Sequence, residues 1–269
     1  MNPLTAGSSD ASSGILSSLS SNQSLTNNIQ TQLSTNKKIL DPAQQGVVTR
    51  LSSQVTSYAA AHNNIAKAQN VLNVASTGLN SISSLLTQMQ DLANKANDAT
   101  MTTTDAAKLD QTFQHLLSQI SSTATNSKVD SVGLLKNSAS QLSIQTGLTT
   151  ADTTSISVVS SDTTSLGINT LTVTNASSAA AAITALASAL ATVSTSQSSV
   201  AADQLALQTV DDQDSSISQN LQNTIDTIQK PDAAALQMQL QDVNNQQSMN
   251  YYLINQMNQE AQSVLTIFR

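Results

Sequence analysis

The sequence predicts a mainly α protein: an elongated antiparallel helical bundle or coiled coil with a small β-hairpin insert. Three observations carry this. Aromatic residues make up 2% and charged residues 10% of the 269 positions, with no Trp or Cys, so a thick three-dimensional core has little to build on. Seven glycines and three prolines leave room for long uninterrupted helices. The apolar residues recur at heptad spacing rather than being scattered, which separates the chain from a disordered polymer of similar polarity.

Along the chain, the first thirteen residues are small and polar and predict a loose leader. From Ile15 to Leu33, the positions Ile15, Leu19, Ile29 and Leu33 keep helical spacing, with gaps at Asn22 and Thr26. Asn36 and Pro42 then punctuate the chain.

The strongest periodicity follows. Leu51, Tyr58, Ile65, Leu72, Leu79, Leu86 and Ala93 lie seven apart, and Ala61, Ala68, Ala75, Ile82 and Met89 fall three positions after five of them. This predicts a helix of about 55 residues, roughly 80 Å long. Gly78 is the only glycine between Leu51 and Ala93. A loop at NDATMTTTD ends the stripe. Thr104 followed by Asp105 reads as the N-cap of a helix carrying Leu109, Phe113, Leu116 and Ile120.

The period then drops to two. QLSIQT, TSISVVS and NTLTVT alternate apolar with polar residues, predicting a β element at about 140–175 with turns at Gly147 and Asp152. A second long helix is expected from about Ser177 to Gln229, with the stripe Leu186, Val193, Val200, Leu207, Asp214, Leu221 and Ile228. After Lys230-Pro231-Asp232, a last helix carries Leu236, Leu240, Val243, Gln247, Asn250, Ile254, Met257, Ala261, Val264 and Phe268 in steps of four and three. Scarce apolar residues thus sit in QEAQSVLTIFR, at a terminus where they gain nothing unless something covers them.

Chemistry has little foothold. His62 and His115 are the only histidines, neither near a Glu or Cys at ligand spacing, and His62, beside the apolar stripe of a helix, reads as structural or exposed. Asp211, Asp212 and Asp214 cluster, but on a predicted helix rather than a converging loop, so a solvated face with Asp214 denting the seam is the better reading. No phosphate loop, nucleophile elbow or zinc spacing occurs. The chain is expected to be no enzyme and to need no cofactor or metal. A net charge of −7 with ten Lys and Arg argues against nucleic acid. No unbroken run of about 18 apolar residues exists, and neither a membrane span nor a signal peptide is expected.

Several stretches resemble bacterial flagellin. LDPAQQGVVTRL (40–51), TQLSTNKKI (31–39), LNVASTGLNSISSLLTQMQDLANKANDAT (72–100), QLSIQTG, SLGINTL (165–171) and the final QSVLTIFR are similar to successive family segments. Compared with the family, a serine-rich leader is added, about four residues are missing between Ile39 and Leu40, and the variable outer domains are absent. The resemblance implies a D0 coiled coil from residues 1–40 plus 231–269, forming the filament core, and a D1 bundle over 41–230. It implies a self-polymerising subunit of the flagellar filament, exported by the flagellar type III route. Its partners would be itself, the flagellin export chaperone, the filament cap and hook-associated proteins. The assembly seam would comprise Leu236, Leu240, Val243, Ile254, Met257, Ala261, Val264, Phe268, Ile15, Leu19, Ile29 and Leu33, and the D1 seam Leu51, Tyr58, Ile65, Leu72, Leu79 and Leu86. In many flagellins a D1 face is bound by the vertebrate Toll-like receptor that senses this family. Here that face is degenerate: Gln88 and Gln90 stand at its arginine positions, Leu92 keeps a leucine, and Thr112 stands at its glutamate. Runner-up readings are a hook–filament junction protein and a secreted helical adhesin or translocon subunit.

Overall fold

A computed structural model describes the backbone over residues 3–136 and 141–267 and the side chains over 12–136 and 141–263. In chain order the elements are α1 (Pro3–Thr35), α2 (Pro42–Ala96), α3 (Thr103–Asn126), β1 (Lys128–Val129), β2 (Val132–Gly133), β3 (Gln141–Gln145), β4 (Thr153–Ser157), α4 (Ala176–Gln229) and α5 (Ala233–Ile267). The fold is mainly α, with two small antiparallel strand pairs, β1–β2 and β3–β4. The chain forms two compact units, Met1–Ser52 with Gln222–Arg269, and Ser53–Leu221.

In the first unit, α1 pairs with α5. The pairing is antiparallel: the Asn250 amide donates to the Ser18 hydroxyl at 3.2 Å, while Lys38 N–H donates to the Gln229 carbonyl at 2.6 Å. The expected loose leader is corrected, since α1 already begins at Pro3. Proline suits a first helical turn, and no second proline precedes Asn36. Asn36 ends the helix with φ of 51°, a left-handed conformation asparagine tolerates. Asp232 starts α5, its carboxylate accepting from Ala234 N–H and Ala235 N–H, both at 3.1 Å.

In the second unit, α2 and α4 run antiparallel. Asn73 accepts from Gln204 at 2.9 Å and Asn80 accepts from Gln197 at 2.8 Å. These rungs are seven residues apart on each helix, as a heptad seam requires. The core between the long helices and α3 is a line of buried Leu, Ile, Val and Ala, with Phe113 the largest side chain in it.

The start of α3 differs from expectation. Thr102, not Thr104, is the cap: its hydroxyl accepts from Asp105 N–H at 3.2 Å and donates to the Asp105 carboxylate at 2.8 Å. The reciprocal pair needs the acid three residues after the cap, which selects the first of the three threonines.

The β element also differs. β1 and β2, unanticipated, form a two-residue hairpin through Asp130 (φ 47°) and Ser131 (φ 71°). QLSIQ and TTSIS pair as expected, with Leu142 opposite Ile156. NTLTVT is not a strand. Its backbone is held by α3 side chains: Val173 N–H donates to the Asp110 carboxylate at 2.8 Å, and the Leu171 carbonyl accepts from the Gln114 amide at 2.9 Å. A segment satisfied this way alternates in sequence like a strand without pairing.

By length and composition alone, the helical stretch Ala176–Ser263 is apolar enough to cross a membrane, although no such span was expected. Alanine raises its apolarity while serine and threonine interrupt every run. Its Ala179, Ala182, Leu186, Ala189 and Val193 are taken up by the second unit's core.

Candidate functional site

The expected terminal seam lies on α1 and α5. Ile29 and Val243 are buried, at 1% and 4% exposure. Ile15, Leu19, Leu33, Leu236, Leu240, Ile254 and Met257 are half-buried, and Ala261 is exposed. The side chain of Val264, and Phe268 altogether, lie outside the described residues. Away from this seam the helices show solvent-facing apolar groups: Leu16 and Leu25 on α1, and Met238, Met249, Tyr251, Tyr252 and Leu253 on α5. Two paired helices with one ordinary seam and further apolar groups on their outer faces retain surface that a neighbour could cover. The heptad period marks only the seam face, so those outer residues stand outside it. Met249 and Tyr252, three apart, were the available signal.

The second unit keeps its seam closed. Ile65, Leu72, Leu79 and Leu86 are fully buried, while Tyr58 is half-buried. Leu51, also buried, belongs to the first unit. Near Tyr58 lies a buried carboxyl. Asp214 is 6% exposed, and its Oδ2 has no hydrogen-bond partner. Burial first, then the carboxylates of Asp211 and Asp152, push the Asp214 carboxyl above its ordinary range. Burial, Asp214 and Asp152 likewise push the Tyr58 phenol up. Asp211 itself meets His62 Nδ1 at 2.5 Å. So the acidic cluster divides: Asp211 pairs with His62, Asp212 accepts from Gln208 at 3.0 Å, and Asp214 dents the seam.

Of the receptor-face positions, Gln88 and Thr112 are exposed, and Leu92 is half-buried against the core. Thr112 spends its hydroxyl on the Lys108 carbonyl at 3.3 Å. His115 is exposed. Among the described residues, no group of three or more His, Cys, Asp or Glu is placed to hold a metal ion. What the arrangement offers is helical surface, patterned for packing.

A match to the bacterial flagellin N-terminal helical region spans residues 9–140. Residues 9–140, just under half of the chain, are thus similar to the flagellin N-terminal region. That flagellin region takes in most of α1, all of α2 and α3, and the β1–β2 hairpin. No curated protein matches the chain in sequence. Among solved structures, the chain is similar to Bacillus cereus flagellin at 25% identity and a TM-score of 0.44, over 60% of this chain and 88% of that one. It is also similar to a Vibrio parahaemolyticus protein described as a flagellar hook-associated one, at 13% identity and a TM-score of 0.57, over 69% and 97%. The second likeness shows a shared helical fold.

Proposed function

We infer that this chain is a flagellin, a structural subunit of a bacterial flagellar filament, polymerising with copies of itself and acting in motility. The single observation that carries the reading is the flagellin N-terminal helical region over residues 9–140, placed on the helices that this fold brings together. The chain works by packing rather than by catalysis. It is an exported, extracellular protein whose partners include the export chaperone, the filament cap and hook-associated proteins. Residues 1–40 with 231–269 form the inner layer, and 41–230 the outer. The terminal seam closes fully only between neighbours, so ordering of α1 and α5 is coupled to assembly.

The test is polymerisation. Purified protein seeded with filament fragments should form long filaments visible by negative-stain microscopy. A chain lacking residues 259–269 should stay monomeric, since burying a Val or Phe is worth about 1.5–3 kcal/mol per copy. Long filaments from the truncated chain would overturn the seam assignment. The hook-associated structural likeness favours one second reading, a junction protein, which would cap or join filaments without elongating them.

A further inference from the structure

The α1–α5 seam is interrupted midway by polar side chains. Asn22 and Thr26 are buried at 7% and 8% exposure in positions where an apolar stripe would place large aliphatics. Gln247 and Asn250 occupy the stripe of α5. Asn250 donates to Ser18, and the Thr26 hydroxyl donates to the Asn22 carbonyl at 2.9 Å. Two amide groups remain unserved, Asn22 Nδ2 and Gln247 Nε2. On α1, Ile15 precedes this layer, Leu19 lies within it beside Ser18, and Ile29 and Leu33 follow it.

Such a layer costs stability, because buried amide donors without acceptors forfeit their hydration. What it offers in return is uniqueness. An apolar heptad stripe looks the same after a seven-residue slip, so aliphatic layers alone accept several registers. A slip here would set Ser18 against Val243 or Met257 in place of Asn250, break the Ser18–Asn250 bond, and face the other amides with aliphatic groups.

We propose that the layer formed by Ser18, Asn22, Thr26, Gln247 and Asn250 is a register lock, which admits α5 to α1 in one antiparallel alignment at a cost in stability. The lock acts between the two helices of one chain whenever they are paired.

The full-length protein has no cysteine, so a pair can be introduced cleanly. Ser18→Cys is combined in turn with Asn250→Cys, Val243→Cys and Met257→Cys, and intrachain disulfide yield is measured under mild oxidation. With Asn22 and Gln247 intact, the Asn250→Cys pairing should exceed the other two by at least about tenfold. Adding Asn22→Leu and Gln247→Leu should bring one slipped pairing to within about threefold of it and raise the thermal midpoint. Asn22→Leu alone should move both readouts part of the way, with helicity followed by circular dichroism. Equal yields for all three pairs in the parent would overturn the proposal. So would continued exclusivity of the Asn250→Cys pairing in the leucine background, or a lowered midpoint there.

Discussion

Asp110 on α3 holds Val173 in place: its Oδ1 accepts the Val173 N–H at 2.8 Å across 63 residues of sequence, and the Val173 side chain is fully buried. The bond decides the course of the chain into α4, because no strand is present to satisfy that amide. Asp110→Ala should therefore strand a backbone donor and cost about 1–3 kcal/mol. Asp110→Asn keeps an acceptor oxygen and should lose less than half as much. Chemical denaturation of both variants checks this, and equal losses would show that the carboxylate acts by charge instead.

Asp214 sets a pH dependence whose sign follows from its surroundings. The groups facing it are Tyr58 and Asp152, with Asp211 on its own helix tied to His62. Its folded-state pKa is raised above the ordinary carboxylate range. The contribution to stability is then fully present below the unfolded value and lost as pH rises through the folded one. Asp214→Asn should match the parent at pH values below the unfolded carboxyl's range and exceed it increasingly as pH rises through the folded one. Asp214→Leu, which fills the seam, should gain about 1–3 kcal/mol at neutral pH. Thermal midpoints measured across that range would refute the account if the parent and Asp214→Asn ran parallel.

Gly78 marks a close approach to α2 by the Ser127 and Leu135 side chains. A Cβ there would lie 2.3 Å from Ser127 Oγ and 2.5 Å from Leu135 Cδ1. Alanine gains helix propensity and asks only side-chain ends to move, so its two effects oppose each other. Valine adds two methyls to the same space and should destabilise by about 1–3 kcal/mol. A Gly78→Val protein as stable as the parent would mean that Ser127 and Leu135 repack freely.

Recognition by the innate receptor should be weak or absent. Gln88 and Thr112 are exposed but carry neither the guanidinium nor the carboxylate that the resemblance calls for. Charge-assisted, forked hydrogen bonds are about twice as strong as neutral ones, so losing them should reduce affinity more than about a hundredfold. Gln88→Arg with Thr112→Glu should raise binding in a reporter-cell assay using purified monomer. A full response from the parent protein would sink the inference.

Much of the fold was legible because it is periodic. Leu51 to Ala93 wrote α2 into the sequence by sevens, and Pro42 and Pro231 bracketed the helices beside them. Where legibility failed, the deciding partner was distant or the element too short to carry a period. NTLTVT alternates like a strand, yet Asp110 and Gln114 satisfy its backbone, and neither is near it in sequence. The β1–β2 hairpin offers two residues a side, too few for alternation to register, so only Asp130 hinted at a left-handed turn. Of the candidate site, the stripes were readable but the pairing of His62 with Asp211 was not, since 149 residues separate them.

The distribution of tyrosine has an optical consequence. With no tryptophan, emission in the tyrosine band comes from three phenols, and two of them, Tyr251 and Tyr252, are adjacent and exposed on α5. The third, Tyr58, is half-buried in the other compact unit, near ionisable carboxyls. Replacing the α5 pair with phenylalanine leaves a single chromophore that reports the long-helix unit alone, and replacing Tyr58 leaves one confined to the terminal helix. The protein thus carries separable intrinsic fluorophores for its two units, with no dye or label attached.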